Sequence, residues 1–236
     1  MNILVCISNV PDTTSKIEFT SDSTSFLADG VQFIINPYDE FGLTKAIKLR
    51  EQHGGKVTVV NFGENTSEPT LRKALAIGAD EAIRIDGTPT DSFLVAKELS
   101  KVISENNFDL IISGRESIDY NGGAVPAMIA EILDLPFVNA CTELTIEGSE
   151  AKMEREIEGG KEFVSSNLPL VIGGQKGLVE ESDLLIPNMR GIMVARTKPL
   201  KVVECSGNSG KSSSLSFENP PLSKLVKWLK QVKKKN

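Results

Sequence analysis

The sequence predicts a doubly wound α/β fold, a parallel sheet with a small antiparallel extension and a C-terminal arm. Three observations predict it. Up to about residue 135, short continuous apolar runs alternate with longer segments whose apolar residues recur at helical spacing; after Pro136, apolar and polar residues alternate between Gly-containing turns; past Glu204, Ser, Gly, Asn and Pro dominate. Strands alternating with helices of this length need crossover connections, and these give a parallel sheet with helices on both faces.

Residues 2–8 hold the unbroken run Ile3-Leu4-Val5-Cys6-Ile7 and read as a strand buried on both faces, ended by the turn residues Asn9, Pro11 and Asp12. A polar stretch leads to the apolar run 31–35. Asn36-Pro37-Tyr38-Asp39-Glu40 then opens a helix: Asn36 can cap it, Pro37 suits its first position, and the carboxylates complement its dipole. Leu43, Ala46, Ile47 and Arg50 continue at helical spacing until Gly54-Gly55 stops it. Residues 57–60 form a second buried strand ending at Asn61-Phe62-Gly63, and the unit repeats as helix 67–77, strand 82–85, helix 91–103, strand 110–112 and a helix marked by Val125, Met128, Ile129, Ile132 and Leu133. Segments 143–146, 152–157 and 162–166, joined at Glu147-Gly148 and Glu158-Gly159-Gly160, read as antiparallel strands. Residues 170–172 return to a buried run before an irregular stretch to Pro187.

Residues 1–205 thus form one α/β domain and 206–236 an arm. The arm has little to bury up to residue 221; beyond it Leu222, Leu225, Val226, Leu229 and Val232 oppose Lys224, Lys227 and Lys233 to Lys235. Such an amphipathic helix can dock on its own domain, on a partner subunit or, with Trp228 among the lysines, on a membrane surface. The partner subunit is the reading adopted.

Of the 236 residues 40% are apolar and 25% charged, as in an ordinary globular protein, and a net charge of -6 gives no basic field for nucleic acid. Cys6, Cys141 and Cys205 are too few and too scattered for a disulfide framework or a metal or redox pair, so a reducing compartment is expected. No apolar run approaches the ~18 residues of a membrane span. Cytoplasmic placement without membrane insertion is expected, or the mitochondrial matrix in a eukaryote.

In an open parallel sheet, ligands bind beyond the carboxyl ends of the strands, where helix N-termini expose unpaired N–H groups. Three segments should meet there: Cys6 to Asn9, Asn61 to Gly63, and the eleven residues from Ser113 to Gly123. In the last, Gly122 and Gly123 let the backbone approach an anion just as a helix begins at Ala124, so the segment can hold the phosphate end of an adenine nucleotide and the fold is read as of the adenine-nucleotide-binding type, although a Gly-Gly pair before a helix is a weak signal alone. Asp119 and Asn121 can take ribose hydroxyls or cap the helix, and Arg115 can neutralise charge. A capped loop without a ligand is the plainer reading of the same residues.

Other chemistries find less. Gly159-Gly160 and Gly173-Gly174-Gln175-Lys176-Gly177 do not give G-x-G-x-x-G between a strand and a helix, and Gly54-Gly55-Lys56 is not a phosphate-binding P-loop. His53, the only histidine, sits where a helix ends and suits its dipole better than a triad. One histidine and no paired cysteines do not build a zinc site, and Glu180-Glu181 does not span a cleft as an acid/base pair.

The chain resembles the β subunits of the electron-transfer flavoproteins from Asn2 to about Glu204. The resemblance rests on Ile3-Leu4-Val5-Cys6-Ile7 with Asp12, on Asn36-Pro37-Tyr38-Asp39-Glu40, on the run from Leu71 to Asp80 and on Asp109 through Asp119. Glu154-Arg155-Glu156-Ile157-Glu158-Gly159-Gly160, Leu168-Pro169 and Ile186-Pro187-Asn188-Met189 complete it. It implies a non-catalytic electron carrier in a heterodimer. An α subunit holds most of the FAD; the β subunit buries AMP as a structural ligand; electrons pass from flavin dehydrogenases, such as acyl-CoA dehydrogenases, to a membrane electron-transfer flavoprotein quinone oxidoreductase or a similar acceptor.

Carried over by position, the resemblance implies AMP contacts at Cys6, Asn36, Pro37, Tyr38, Asp39 and Phe62. Gly114, Ile118, Asp119, Asn121, Gly122, Gly123, Ala124 and Val125 complete them, with Tyr38 also where the family has an aromatic residue near the flavin. Ile186, Pro187 and Asn188 match the loop that docks on dehydrogenases, Ile186 replacing the usual leucine. The chain departs from the family at Gly123-Ala124-Val125-Pro126, where Asn-Gln-Thr-Gly is usual and some electron-bifurcating members have Val for Thr. The amide and hydroxyl that assist phosphate binding are replaced, which leaves the task to backbone N–H groups. Two alternatives accompany this reading: a bifurcating β subunit with its own FAD, and an ATP-using enzyme, for which Ser8-Asn9-Val10-Pro11 supplies no phosphate motif.

Overall fold

The computed structural model describes residues 1–207 and 209–219. In chain order it contains β1 (Asn2–Cys6), β2 (Asn9–Pro11), β3 (Phe33–Ile35), α1 (Pro37–His53), β4 (Lys56–Phe62), α2 (Glu68–Ile77), β5 (Glu81–Asp86), α3 (Ser92–Ser104) and β6 (Leu110–Gly114). Then come α4 (Val125–Leu133), β7 (Phe137–Glu147), β8 (Glu150–Ile157), β9 (Gly160–Asn167), β10 (Leu170–Gly174), α5 (Met189–Ala195) and β11 (Leu200–Glu204).

Side chains of β1 alternate between two cores, as the period of a strand requires. Ile3 and Val5 pack with Leu43, Leu49, Leu71 and Leu75 of α1 and α2, whereas Leu4 and Cys6 pack with Leu94 and Leu99 of α3 and Ile129 of α4. That division makes the sheet doubly wound. Its order is β11-β5-β4-β1-β6-β10-β7-β8-β9, parallel from β11 to β7 and antiparallel from β7 to β9.

Several expectations change. Asn9 to Pro11, expected as a turn, pairs antiparallel with Phe33 to Ile35 as a separate ribbon, held from the side by Thr70 Oγ1 donating to Asn9 Oδ1 at 2.6 Å. The antiparallel strands are continuous with the main sheet. The beginning of β7 pairs parallel with β10 and its remainder antiparallel with β8, with the register shifting around Ala140, whose φ is 55°. No element was expected for Met189–Ala195 or Leu200–Glu204. The first is a helix of two turns that turns most of its apolar residues outward, and the second is an edge strand of five residues; neither offers the inside-outside period that marks longer elements. Arg72 fastens this region by donating to the carbonyls of Ala195 and Lys198 at 3.0 and 2.9 Å.

The described part of the arm lies on its own domain. Ser206 N–H donates to the buried Glu98 carboxylate at 2.9 Å, Ser212 N–H to Asp91 at 2.8 Å, and Phe217 stacks on Phe19 with centroids 5.2 Å apart. The amphipathic helix expected at 222–232 lies outside the described residues. Among the described residues no helix is long and apolar enough to cross a membrane, and no three His, Cys, Asp or Glu side chains gather as metal ligands.

Candidate nucleotide site

Strand β1 lies between β4 and β6, and the chain winds outward from it in both directions, so the crevice at the carboxyl ends of β1 and β6 is where the crossovers reverse. The paired register of these two strands ends at Val5 with Ile112, beyond which their backbones separate. The N-terminus of α1 fills the base of the gap. Asp39, 1% exposed, accepts from Ser8 N–H and from Gly114 N–H, both at 2.7 Å. Burial pushes its carboxyl up to about 7 against the opposite pull of those amides, and the same charge helps burial push the Cys6 thiol up.

Asn36 stands at the cap position of α1, but its side chain does not cap the helix. It reaches across instead, donating from Nδ2 to Glu116 O at 2.9 Å and accepting at Oδ1 from Ile118 N–H at 3.3 Å, while its own N–H donates to Ser8 O at 3.0 Å. Gly114 is glycine because a Cβ there would strike the Asp39 carboxylate and come within 2.7 Å of Tyr38 Cβ. On the other side of β1, Asn61 donates to Ile7 O at 2.8 Å, and its Oδ1 is buried without a partner.

Residues beyond β6 form a short hairpin. Ser117 and Gly122 exchange backbone hydrogen bonds of 3.0 and 3.2 Å, and Asn121 takes φ of 50° at the turn. Asp119 accepts from Ser117 Oγ and, at 2.9 Å, from Tyr120 N–H, so its carboxylate braces the turn. Neither Asp119 nor Asn121 caps α4: Ala124 holds the cap position without a side-chain bond, and Pro126 sits in the first turn. Gly122 N–H is used by the hairpin. Among the described residues, no acceptor meets the N–H groups of Gly123, Ala124 or Val125.

Arg115 turns from the crevice toward Gln175 Oε1, at 3.0 Å, and Glu116, at 3.1 Å, with its guanidinium 5.7 Å from the centre of the Tyr38 ring. Gln175 in turn donates to Glu156. Sequence reasoning missed this relay and also Asn139, whose Oδ1 is buried without a partner beside Gly173. The signal was present in Gly173-Gly174-Gln175, passed over because it fits no nucleotide fingerprint. Cys6 and Phe62 are both buried, in the core beneath the crevice.

The free amides where α4 begins fit a phosphate group. Open clefts of about 880 and 940 Å³ lie elsewhere, the first lined by Met1, His53 and Asp109, the second by Lys45, Glu154 and Gly160.

Ile186, Pro187 and Asn188 belong to another surface. Ile186 is 79% exposed, and Asn188 caps α5 by accepting from Gly191 N–H at 2.8 Å. Leu185, Met189, Ile192, Met193 and Val194 are exposed beside it, and the segment is fixed to α1 through Leu185 N–H, which donates to Thr44 Oγ1 at 3.2 Å.

The electron transfer flavoprotein domain, as a family, matches residues 24–207. A Bacillus subtilis protein named electron transfer flavoprotein subunit beta is 38% identical over 208 residues, covering 86% of this chain and 79% of the relative. A Syntrophomonas wolfei protein of the same name is 34% identical over 252 aligned residues, 99% of this chain and 98% of its own. The human protein of that name is 33% identical over 232 residues, 94% of this chain and 89% of its own.

Proposed function

This chain belongs to the electron transfer flavoprotein family as a β subunit, and from that premise we propose that it is the non-catalytic half of a heterodimer whose α subunit holds FAD. In this reading the complex carries electrons from flavin dehydrogenases of the acyl-CoA dehydrogenase type to a membrane quinone oxidoreductase or a similar acceptor, and this subunit keeps one AMP as a structural ligand. FAD, when bound, supplies the redox chemistry.

The observation that carries the reading is the crevice between β1 and β6. It presents free amides at Gly123, Ala124 and Val125, where α4 begins, and the Asn36 and Asp39 side chains beneath them are engaged by the protein itself. Such a site binds without reacting. The first turn of α4 would hold the phosphate through backbone N–H groups and the positive end of the helix dipole, because Ala124 and Val125 have no polar side chain to add. Tyr38, with Arg115 over its ring, would face the flavin side. Ile186 and its apolar neighbours would enter a pocket on the dehydrogenase, a small contact that releases fast enough for a carrier.

Val125 favours one second reading, a β subunit that holds FAD in place of AMP, since it stands where some bifurcating members carry the same residue. Co-expression with the α subunit tests the function. A yellow heterodimer that an acyl-CoA dehydrogenase reduces is the expected outcome; a colourless complex, or one that no flavin dehydrogenase reduces, contradicts it.

A further inference from the structure

Two loops must keep a fixed separation for a ligand to sit between β1 and β6, and no strand pairing does this, because the ladder ends at Val5 and Ile112. The only direct bridge from Ser8 N–H to Gly114 N–H among the described residues is the carboxylate of Asp39, with one oxygen on each amide. Asn36, one helical turn away, adds a second rung by holding Glu116 O and Ile118 N–H. The fastened segment continues as the hairpin closed between Ser117 and Gly122, which leads into the first turn of α4.

We propose that Asp39, seconded by Asn36, is a positioning residue: its two bonds set the gap between the β1 and β6 loops and aim the amides of Gly123 to Val125, without touching the nucleotide. The inference rests on the nucleotide site proposed above. Both oxygens of Asp39 are already engaged by loop amides and the side chain is buried, so it acts on a ligand through the loops it holds. The chemistry requires a carboxylate. Two N–H groups converge on one side chain, and only a group with two acceptor oxygens satisfies both; an amide of the same shape turns its NH₂ against one of them. Gly114 shows how closely the bridge is fitted, since even a methyl group there would displace it.

Asp39→Asn in the intact heterodimer, measured above pH 7 where Asp39 is ionised, is the test, because it preserves volume and removes one acceptor. Leu144→Ala, at a buried core position within β7, is the comparison for general destabilisation. Asp39→Asn is expected to release bound adenine nucleotide about tenfold faster, the size of one lost hydrogen bond to a charged acceptor, with the FAD of the α subunit retained. Amide hydrogen exchange across residues 114–123 should accelerate in the same variant, with or without nucleotide. Equal release from Leu144→Ala at the same loss of thermal stability, or wild-type exchange across 114–123 in Asp39→Asn, overturns the proposal. A wild-type heterodimer that carries no adenine nucleotide contradicts the proposed ligand instead, and the exchange measurement still decides whether Asp39 sets the loops.

Discussion

The turn at residues 36–39 and the ridge at residues 185–194 use side chains in opposite ways. In the first, Asn36 and Asp39 are polar, buried and completely engaged with backbone groups of other segments. The second is apolar and exposed, with Ile186, Met189 and Met193 all directed outward. A buried network with every group satisfied is rigid and holds one geometry, as a permanently bound nucleotide needs. An exposed patch of Ile and Met adapts to a partner and lets it go. The difference separates what the subunit keeps from what it meets.

The comparison can be broken most severely at Gly114. Gly114→Ala puts a methyl group into the Asp39 carboxylate and Tyr38, and is expected to cost about 3 kcal/mol, the upper end for overpacking a tight site, as measured by urea unfolding. A loss below ~1 kcal/mol would show that the turn is loose.

Titration of Asp39 comes next. Its carboxyl is raised from 3.8 to about 7, chiefly by burial, with the Cys6 thiol of β1 the ionisable neighbour. Between about pH 4 and 7 the native state therefore holds a proton that the unfolded chain releases, so this contribution to stability is fully present below about pH 4 and is lost as pH rises through about 7, where the carboxyl ionises into the form that accepts from both amides. Relative to Asp39→Asn, whose amide does not titrate, the wild type should lose stability across that window. Parallel stability curves for the two proteins would place the carboxyl near its ordinary value.

Gly191→Ala sharpens the other side of the comparison. Its Cβ would meet Ala76 O, so α5 must lift from α2 at a cost of about 1 to 2 kcal/mol. Hydrogen exchange should rise in residues 189–195 and leave residues 114–123 unchanged. The smallest effect on stability is expected for Ile186→Ala, within ~0.5 kcal/mol of wild type as befits an exposed side chain. Its reduction by a donor dehydrogenase should nevertheless slow about tenfold, as for a buried interface anchor. Unchanged stopped-flow kinetics would remove Ile186 from the docking surface.

Elements with a strong apolar signature were legible in the sequence: β1 and β6 as unbroken apolar runs whose two faces enter the two cores, and α1, α2 and α3 as helices that each bury one face in one core. Strand β11 and helix α5 were not, since each lies at an edge where period is weak. At the site, the meeting of Cys6 to Asn9, Asn61 to Gly63 and Ser113 to Gly123 followed from the rule for parallel sheets. The tasks of individual side chains did not follow. Asn36 read as a helix cap and holds a distant loop; Arg115 read as a phosphate partner and faces Gln175; Asp119 read as a ribose ligand or cap and braces its own turn. These bonds link residues 60 to 82 positions apart or depend on a turn of the backbone, and neither is written in local pattern.

The most direct test of the central claim is to heat-denature the purified heterodimer and identify what the supernatant contains. About one AMP for each FAD is the predicted result; FAD alone, at any ratio, or no adenine nucleotide beyond the flavin, would contradict it.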